Sequence, residues 1–238
     1  MLQSGNQKPN QAGSGDLMIE AMTTLHSKKP IDEHLERVYG AATTNDLSSA
    51  YAGWAQDYDA DVASMGYRFP ALAAAMLARH LTKRDAAILD VGAGTGLVGS
   101  WLHDLGYTNL TATDFSPEML KEAQARGVYA QAKVGDLLKR LPFPDDAFEA
   151  VIAVGVFTQG HVSVEGLEEV LRVAQSGAAV VVPLMVDSWE RLGFQAQAEA
   201  WEASGRWQRL DQTPWSAPMP NAADHKQDLG AVFVWRMA

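Results

Sequence analysis

The chain contains no cysteine, which removes disulfides, thiolate metal sites and cysteine nucleophiles from its chemistry and fits a reducing compartment. It has no run near the roughly 20 consecutive apolar residues that a membrane span needs. Its first residues, MLQSGNQKPNQAGSGD, are polar and lack the apolar heart of a signal peptide. The expectation is a soluble, cytoplasmic protein. Positive charge is also scarce. Against 29 Asp and Glu there are 19 Lys and Arg, a formal net charge of -10, so the mean field repels phosphate backbones. Lys28 with Lys29 and Lys139 with Arg140 are isolated pairs that read as solvated surface. Neither nucleic acid nor membrane is expected as a partner. His26, His34, His80, His103 and His225 show no metal-ligand spacing, and no metal is expected.

Apolar residues are plentiful, at 47% of 238, enough to bury one sizeable core in a single domain. Residues 1–29 are rich in Gln, Asn, Ser, Gly and Lys and read as a flexible tail. The domain is expected over 30–238, with N-terminal helices and a lid in 30–82 and the core with an edge hairpin in 83–238. Ile31, Leu35, Val38 and Tyr39 recur at helical spacing between Pro30 and Gly40. Asp46 is placed to cap a second helix whose one face carries Leu47, Ala50, Tyr51, Trp54 and Tyr58. A third helix runs from Pro70 to Leu81.

Beyond it the period switches. Short apolar runs at 88–91, 110–113, 129–134, 150–154 and 178–183 alternate with helical patterns at 96–105, 117–125 and 164–173. The order predicts an α/β fold, a Rossmann-like doubly wound sheet with helices on both faces. A long helix is expected from about Trp189 to Ser204, followed by RWQRLDQT and AVFVWRM as two strands of an antiparallel edge hairpin.

The segment ILDVGAGTGLVG turns sharply from strand to helix, where glycine permits both the turn and a close ligand approach. Two readings are open. Gly94, Gly96 and Gly99 spell G-x-G-x-x-G with Asp114 about 20 residues on, a fingerprint of dinucleotide binding and so of a nicotinamide-dependent oxidoreductase. Asp90, Gly92, Gly94 and Gly96 spell D-x-G-x-G-x-G instead, with a carboxylate at the strand end. That acid suits a cationic ligand such as S-adenosylmethionine, whose ammonium it can hold through water. In either case Asp114 can accept from ribose hydroxyls, Phe115 and Met119 can cover an adenine face, and Asp136 can receive the adenine amino group while Leu137 packs on the ring. These acids fall at three successive strand ends, on the carboxyl edge where open α/β sheets bind ligands.

The pieces YAGWAQDYDADV, GYRFP, ILDVGAGTGLVG, TATDFSPEML and GVFTQGHV, taken in order, resemble the class I S-adenosylmethionine-dependent methyltransferases, in the methyltransferase-like 27 (Williams-Beuren region) subgroup and its bacterial relatives. The resemblance implies a seven-stranded sheet, mostly parallel with an antiparallel C-terminal strand. It also implies S-adenosylmethionine at Asp90, Gly92, Gly94, Asp114 and Asp136. Ala93 in the turn, Val154 at the end of the fourth strand and Tyr51 complete the expected cofactor set. The sulfonium is already activated, so transfer needs alignment and exclusion of water, and a base only where the acceptor must lose a proton. His161 and Tyr58 are the candidate catalytic residues: His161 follows the fourth strand, and Tyr58 with Asp59 lies in a segment that resembles a lid. Arg68 is a candidate for an acceptor carboxylate. The expected acceptor is a small molecule, with monomer and homodimer both compatible. A non-catalytic protein that binds S-adenosylmethionine is the further alternative.

Overall fold

The structure, a computed structural model, describes residues 30–41, 43–158, 162–222 and 227–238. The expected tail, 1–29, and His161 lie outside the described residues. Seven strands form a single sheet in the order β3-β2-β1-β4-β5-β7-β6. They are β1 (Ile88–Val91), β2 (Leu110–Asp114), β3 (Gln131–Val134), β4 (Phe148–Ala153), β5 (Ala174–Met185), β6 (Trp207–Gln212) and β7 (Gly230–Met237). β1 pairs in parallel with both β2 and β4, and β7 runs antiparallel to both β5 and β6. The strand order therefore reverses between β1 and β4, and a crevice opens above their carboxyl ends. Every residue of β1 and β2 is buried, as expected of central parallel strands covered on both faces, and the buried polar residues among them include Asp90 and Asp114 near the strand ends.

Alternation along the strands divides the core between two faces. Leu89, Val91, Val151, Val180, Phe233 and Trp235 belong to one buried cluster. It includes Leu167, Val170 and Leu171 of α7 (Leu167–Val173) and Phe194, Ala198 and Trp201 of α9 (Phe194–Ala203). Ile88, Ile152, Val181, Val232 and Val234 face the other way, onto Leu77 of α4 (Phe69–His80) and Val98 and Leu102 of α5 (Leu97–Asp104). The helix α6 (Pro117–Ala125) follows β2, with Ser116 capping it by accepting from Met119 N at 3.2 Å.

The N-terminal helices are α1 (Pro30–Tyr39), α2 (Thr44–Trp54) and α3 (Tyr58–Ser64). Three expectations are corrected here. Thr43, not Asp46, is the N-cap of α2: its Oγ1 accepts from Asp46 N at 3.1 Å, while Asp46 Oδ2 accepts from Thr43 N at 3.1 Å in a reciprocal capping box. The aromatic face read as one helix is divided, since α2 ends at Trp54 and Tyr58 opens α3. The long helix expected from Trp189 is also broken. Gly193 has a φ of +83°, outside the helical region, and separates α8 (Val186–Arg191) from α9.

Candidate ligand site at the carboxyl edge of the sheet

A cleft of about 1180 Å³, its open mouth included, lies above the carboxyl ends of β1, β2 and β4. Its floor is the glycine turn after β1, where Gly92 and Gly94 take φ values of +64° and +54°. A side chain on Gly92 would meet Val156 Cγ2 at 2.4 Å, whereas one on Gly94 would point into open space. Gly94 thus presents bare backbone to whatever fills the cleft.

Asp114 closes β2 and is 6% exposed. Its Oδ2 accepts from Gly94 N at 2.8 Å and its Oδ1 from Ser116 N at 2.9 Å. Burial raises the pKa of this carboxyl above the ordinary range, partly offset by the Ser116 and Gly94 N–H groups. Each oxygen keeps further lone-pair capacity, so the group can accept from a pair of neighbouring hydroxyls. Asp136 lines the cleft from the turn after β3, accepting from Leu138 N at 2.9 Å and pairing with Lys139 at 3.0 Å.

The walls are apolar. Phe115, Met119, Leu137 and Val154 line the cleft, with Met119 2% exposed. Tyr51 and Tyr58 line it from the N-terminal helices, as its roof. The Tyr51 ring meets Phe115 edge to face at 6.2 Å, and Tyr58 meets Trp54 the same way at 4.9 Å. Trp54 itself is 3% exposed and donates from Nε1 to Asp61 Oδ2 at 2.7 Å, which ties α2 to α3. The structure therefore gathers Tyr51, Tyr58, Gly92, Gly94, Asp114, Phe115, Met119, Asp136, Leu137 and Val154 around one space.

Asp90 and Ala93 do not line it. The alternation of β1 that turns Val91 into the cleft turns Asp90 to the opposite face. There its Oδ2 accepts from Tyr129 Oη at 2.6 Å, and its Oδ1 has no partner among the described residues. Burial pushes this carboxyl up to about 7; the Tyr129 hydrogen bond opposes the shift and the Asp114 charge adds to it. Burial and the Asp90 charge hold the Tyr129 phenol well above its usual range. The hydroxyl is therefore the donor to Asp90, and it accepts from Gly99 N at 3.1 Å. Asp59 and Arg68 are likewise engaged elsewhere, Asp59 with Thr95 and Arg126 and Arg68 with Ala217 O at 2.7 Å.

Sequence reasoning passed over Tyr129. The signal was present in Gly99, where any side chain would meet the Tyr129 ring at 2.2 Å. The third glycine of the G-x-G-x-x-G spacing thus serves the packing of a tyrosine on α5.

Comparisons with known proteins show the family and the fold. Residues 88–177, which run from β1 into β5, match the family described as "Methyltransferase domain". The chain is 37% identical over 166 residues to human methyltransferase-like protein 27, covering 67% of each chain. It is 39% identical over 67 residues to the 18S rRNA (guanine-N(7))-methyltransferase of Bos taurus, which is 28% of this chain and 24% of the bovine one. Among solved structures, an S-adenosylmethionine-dependent methyltransferase from Mesorhizobium loti superposes with a TM-score of 0.51 at 17% identity, over 68% of this chain and 96% of the other, a likeness of fold.

Proposed function

The chain belongs to the class I S-adenosylmethionine-dependent methyltransferases, enzymes whose cofactor is S-adenosylmethionine, and from that premise we propose that it methylates a small molecule held under the aromatic roof of the cleft. S-adenosylmethionine supplies an electrophilic methyl group on a sulfonium. The residues present fit that cofactor: the unobstructed backbone at Gly94, the buried carboxylate of Asp114 with lone pairs to spare, and apolar walls flanking Asp136. In this reading Asp114 accepts from the ribose hydroxyls, Phe115, Met119 and Leu137 cover the adenine, and Asp136 accepts from its amino group. Val154 and the backbone from Gly92 to Gly94 border the methionine end. Asp90 acts from behind the turn, by holding Tyr129 and through it the first turn of α5.

The observation that carries the choice of acceptor is the charge of the cleft. The charged side chains lining it among the described residues are Asp114 and Asp136, on a chain with a net charge of -10. Both acids go to the cofactor in this reading, no cation among the described residues lines the cleft to receive a phosphate, and a nucleic acid would approach against the net negative charge of the chain, at a cost that a neutral or cationic small molecule avoids. Tyr51 and Tyr58 exclude water from the transfer, and Tyr58 with His161 handles any proton the acceptor releases. The oxidoreductase alternative is set aside, because the family is that of the methyltransferases and because Gly99 serves Tyr129.

Methyl-labelled S-adenosylmethionine, incubated with the protein and a cell extract then split into small-molecule, lipid, RNA and protein fractions, tests the proposal. Label is expected in the small-molecule fraction; label in RNA, lipid or protein would overturn the acceptor class and leave the chemistry standing.

A further inference from the structure

Asp59 follows Tyr58 on α3, and its carboxylate reaches from the roof to the floor of the cleft. Oδ1 accepts from Thr95 Oγ1 at 2.6 Å, and Oδ2 is ion-paired with Arg126. Arg126, the C-cap of α6, donates in addition through Nε to Thr95 O at 2.5 Å and through Nη1 to Ser100 Oγ at 3.2 Å. One guanidinium therefore holds the glycine turn, the start of α5 and the roof at once. Thr95 is 2% exposed, so its bonds are made largely out of water.

The roof has a hydrophobic centre of its own. Val38, Leu47 and Trp54 form one small cluster, and Val62 of α3 and Met65 just after it form another with Ala222 and against Leu97, both separate from the two that clamp the sheet. An element packed around its own satellite cluster can open as a unit at lower cost than the core. A lone exposed ion pair would hold such a unit weakly. Here the carboxylate takes two donors and the guanidinium three acceptors. This fixed geometry removes much of the entropy loss that usually cancels a surface pair. Thr95 also lies between Gly94, whose N–H goes to Asp114, and Gly96, where an added Cβ would sit 3.0 Å from Arg126 Cδ. The shape of the turn and the seat of the roof are thus one arrangement.

From this bridge we infer that Asp59 and Arg126 are positioning residues that latch the Tyr51–Tyr58 roof onto the glycine turn, so that the cofactor is retained by making the bridge and released by breaking it. The inference rests on the cofactor occupying the cleft as proposed above. A latch should govern retention of the cofactor and exposure of the roof, and leave the sheet untouched.

The test compares wild type, Asp59→Asn, Arg126→Gln and the double variant by calorimetric titration with S-adenosylhomocysteine and by amide hydrogen exchange. Each single variant is expected to weaken binding about tenfold, with the double no worse than the weaker single, since the two remove one bridge. Amides of 47–64 should exchange faster in the bound variants while those of β1, β4 and β5 stay protected. Asp59→Asn is nearly isosteric, and core protection reports whether either variant is merely misfolded. Wild-type binding with undiminished affinity and roof protection in both variants would overturn the latch. A wild type that does not bind S-adenosylhomocysteine would overturn the cofactor assignment instead.

Discussion

Tyr129 Oη lies 2.6 Å from Asp90 Oδ2, joining the acid at the end of the first strand to a tyrosine that precedes the third. Both groups are buried, and the same hydroxyl accepts from Gly99 N. Tyr129→Phe would leave the Asp90 carboxylate without this donor. A buried polar group deprived of a partner costs roughly 1–3 kcal/mol. Urea denaturation of Tyr129→Phe should show a loss of that size, and an unchanged midpoint would contradict the role given to the hydroxyl.

The pH dependence of stability follows from Asp90. Its folded pKa of about 7 stands above the ordinary 3.8, so between those values the folded state holds a proton that the unfolded state has lost. In that window stability falls as pH rises, because deprotonation is easier in the unfolded chain. Above about 7 the penalty is complete and constant. Subtracting the denaturation midpoints of Asp90→Asn from those of wild type should give a difference that declines from about pH 4 to pH 7 and then levels off. A difference independent of pH would show that Asp90 titrates normally.

Two glycines of the turn should fail for opposite reasons. Gly99→Ala drives a methyl to 2.2 Å from the Tyr129 ring, an overpacking that costs about 1–3 kcal/mol. Gly94→Ala meets no atom within 4 Å, but it carries a φ of +54° and stands on the cleft. Its strain costs roughly 1–2 kcal/mol, and its methyl enters the space reserved for the cofactor. Thermal unfolding should therefore shift in both variants. Affinity for S-adenosylhomocysteine should fall far more in Gly94→Ala than in Gly99→Ala, and equal losses would contradict the assignment of Gly94 to the cofactor.

The central strands were legible because β1 and β4 are largely buried on both faces and are mostly apolar, whereas β3, with the sequence QAKV, is largely exposed. The cleft residues were legible because strand ends of such a sheet share one edge. The direction of Asp90 was not, since a two-residue period does not say which face a strand turns to the ligand until the neighbouring helices are placed. Arg126 offered no signal, being 67 residues from Asp59 and on a different element. The break at Gly193 is not legible because an isolated glycine in an otherwise helical pattern is tolerated at a cost of only about 1 kcal/mol.

Asp114 carries the heaviest load in the cofactor assignment, and calorimetric titration of wild type and Asp114→Ala with S-adenosylhomocysteine, alongside NADH, tests it most directly. Loss of a carboxylate that accepts two ligand hydroxyls corresponds to about 3 kcal/mol or more, a hundredfold or greater weakening. The account predicts micromolar binding of S-adenosylhomocysteine by wild type, its loss in Asp114→Ala with the fold retained by circular dichroism, and no binding of NADH. Binding of NADH without S-adenosylhomocysteine, or an Asp114→Ala protein that binds as well as wild type, would contradict it.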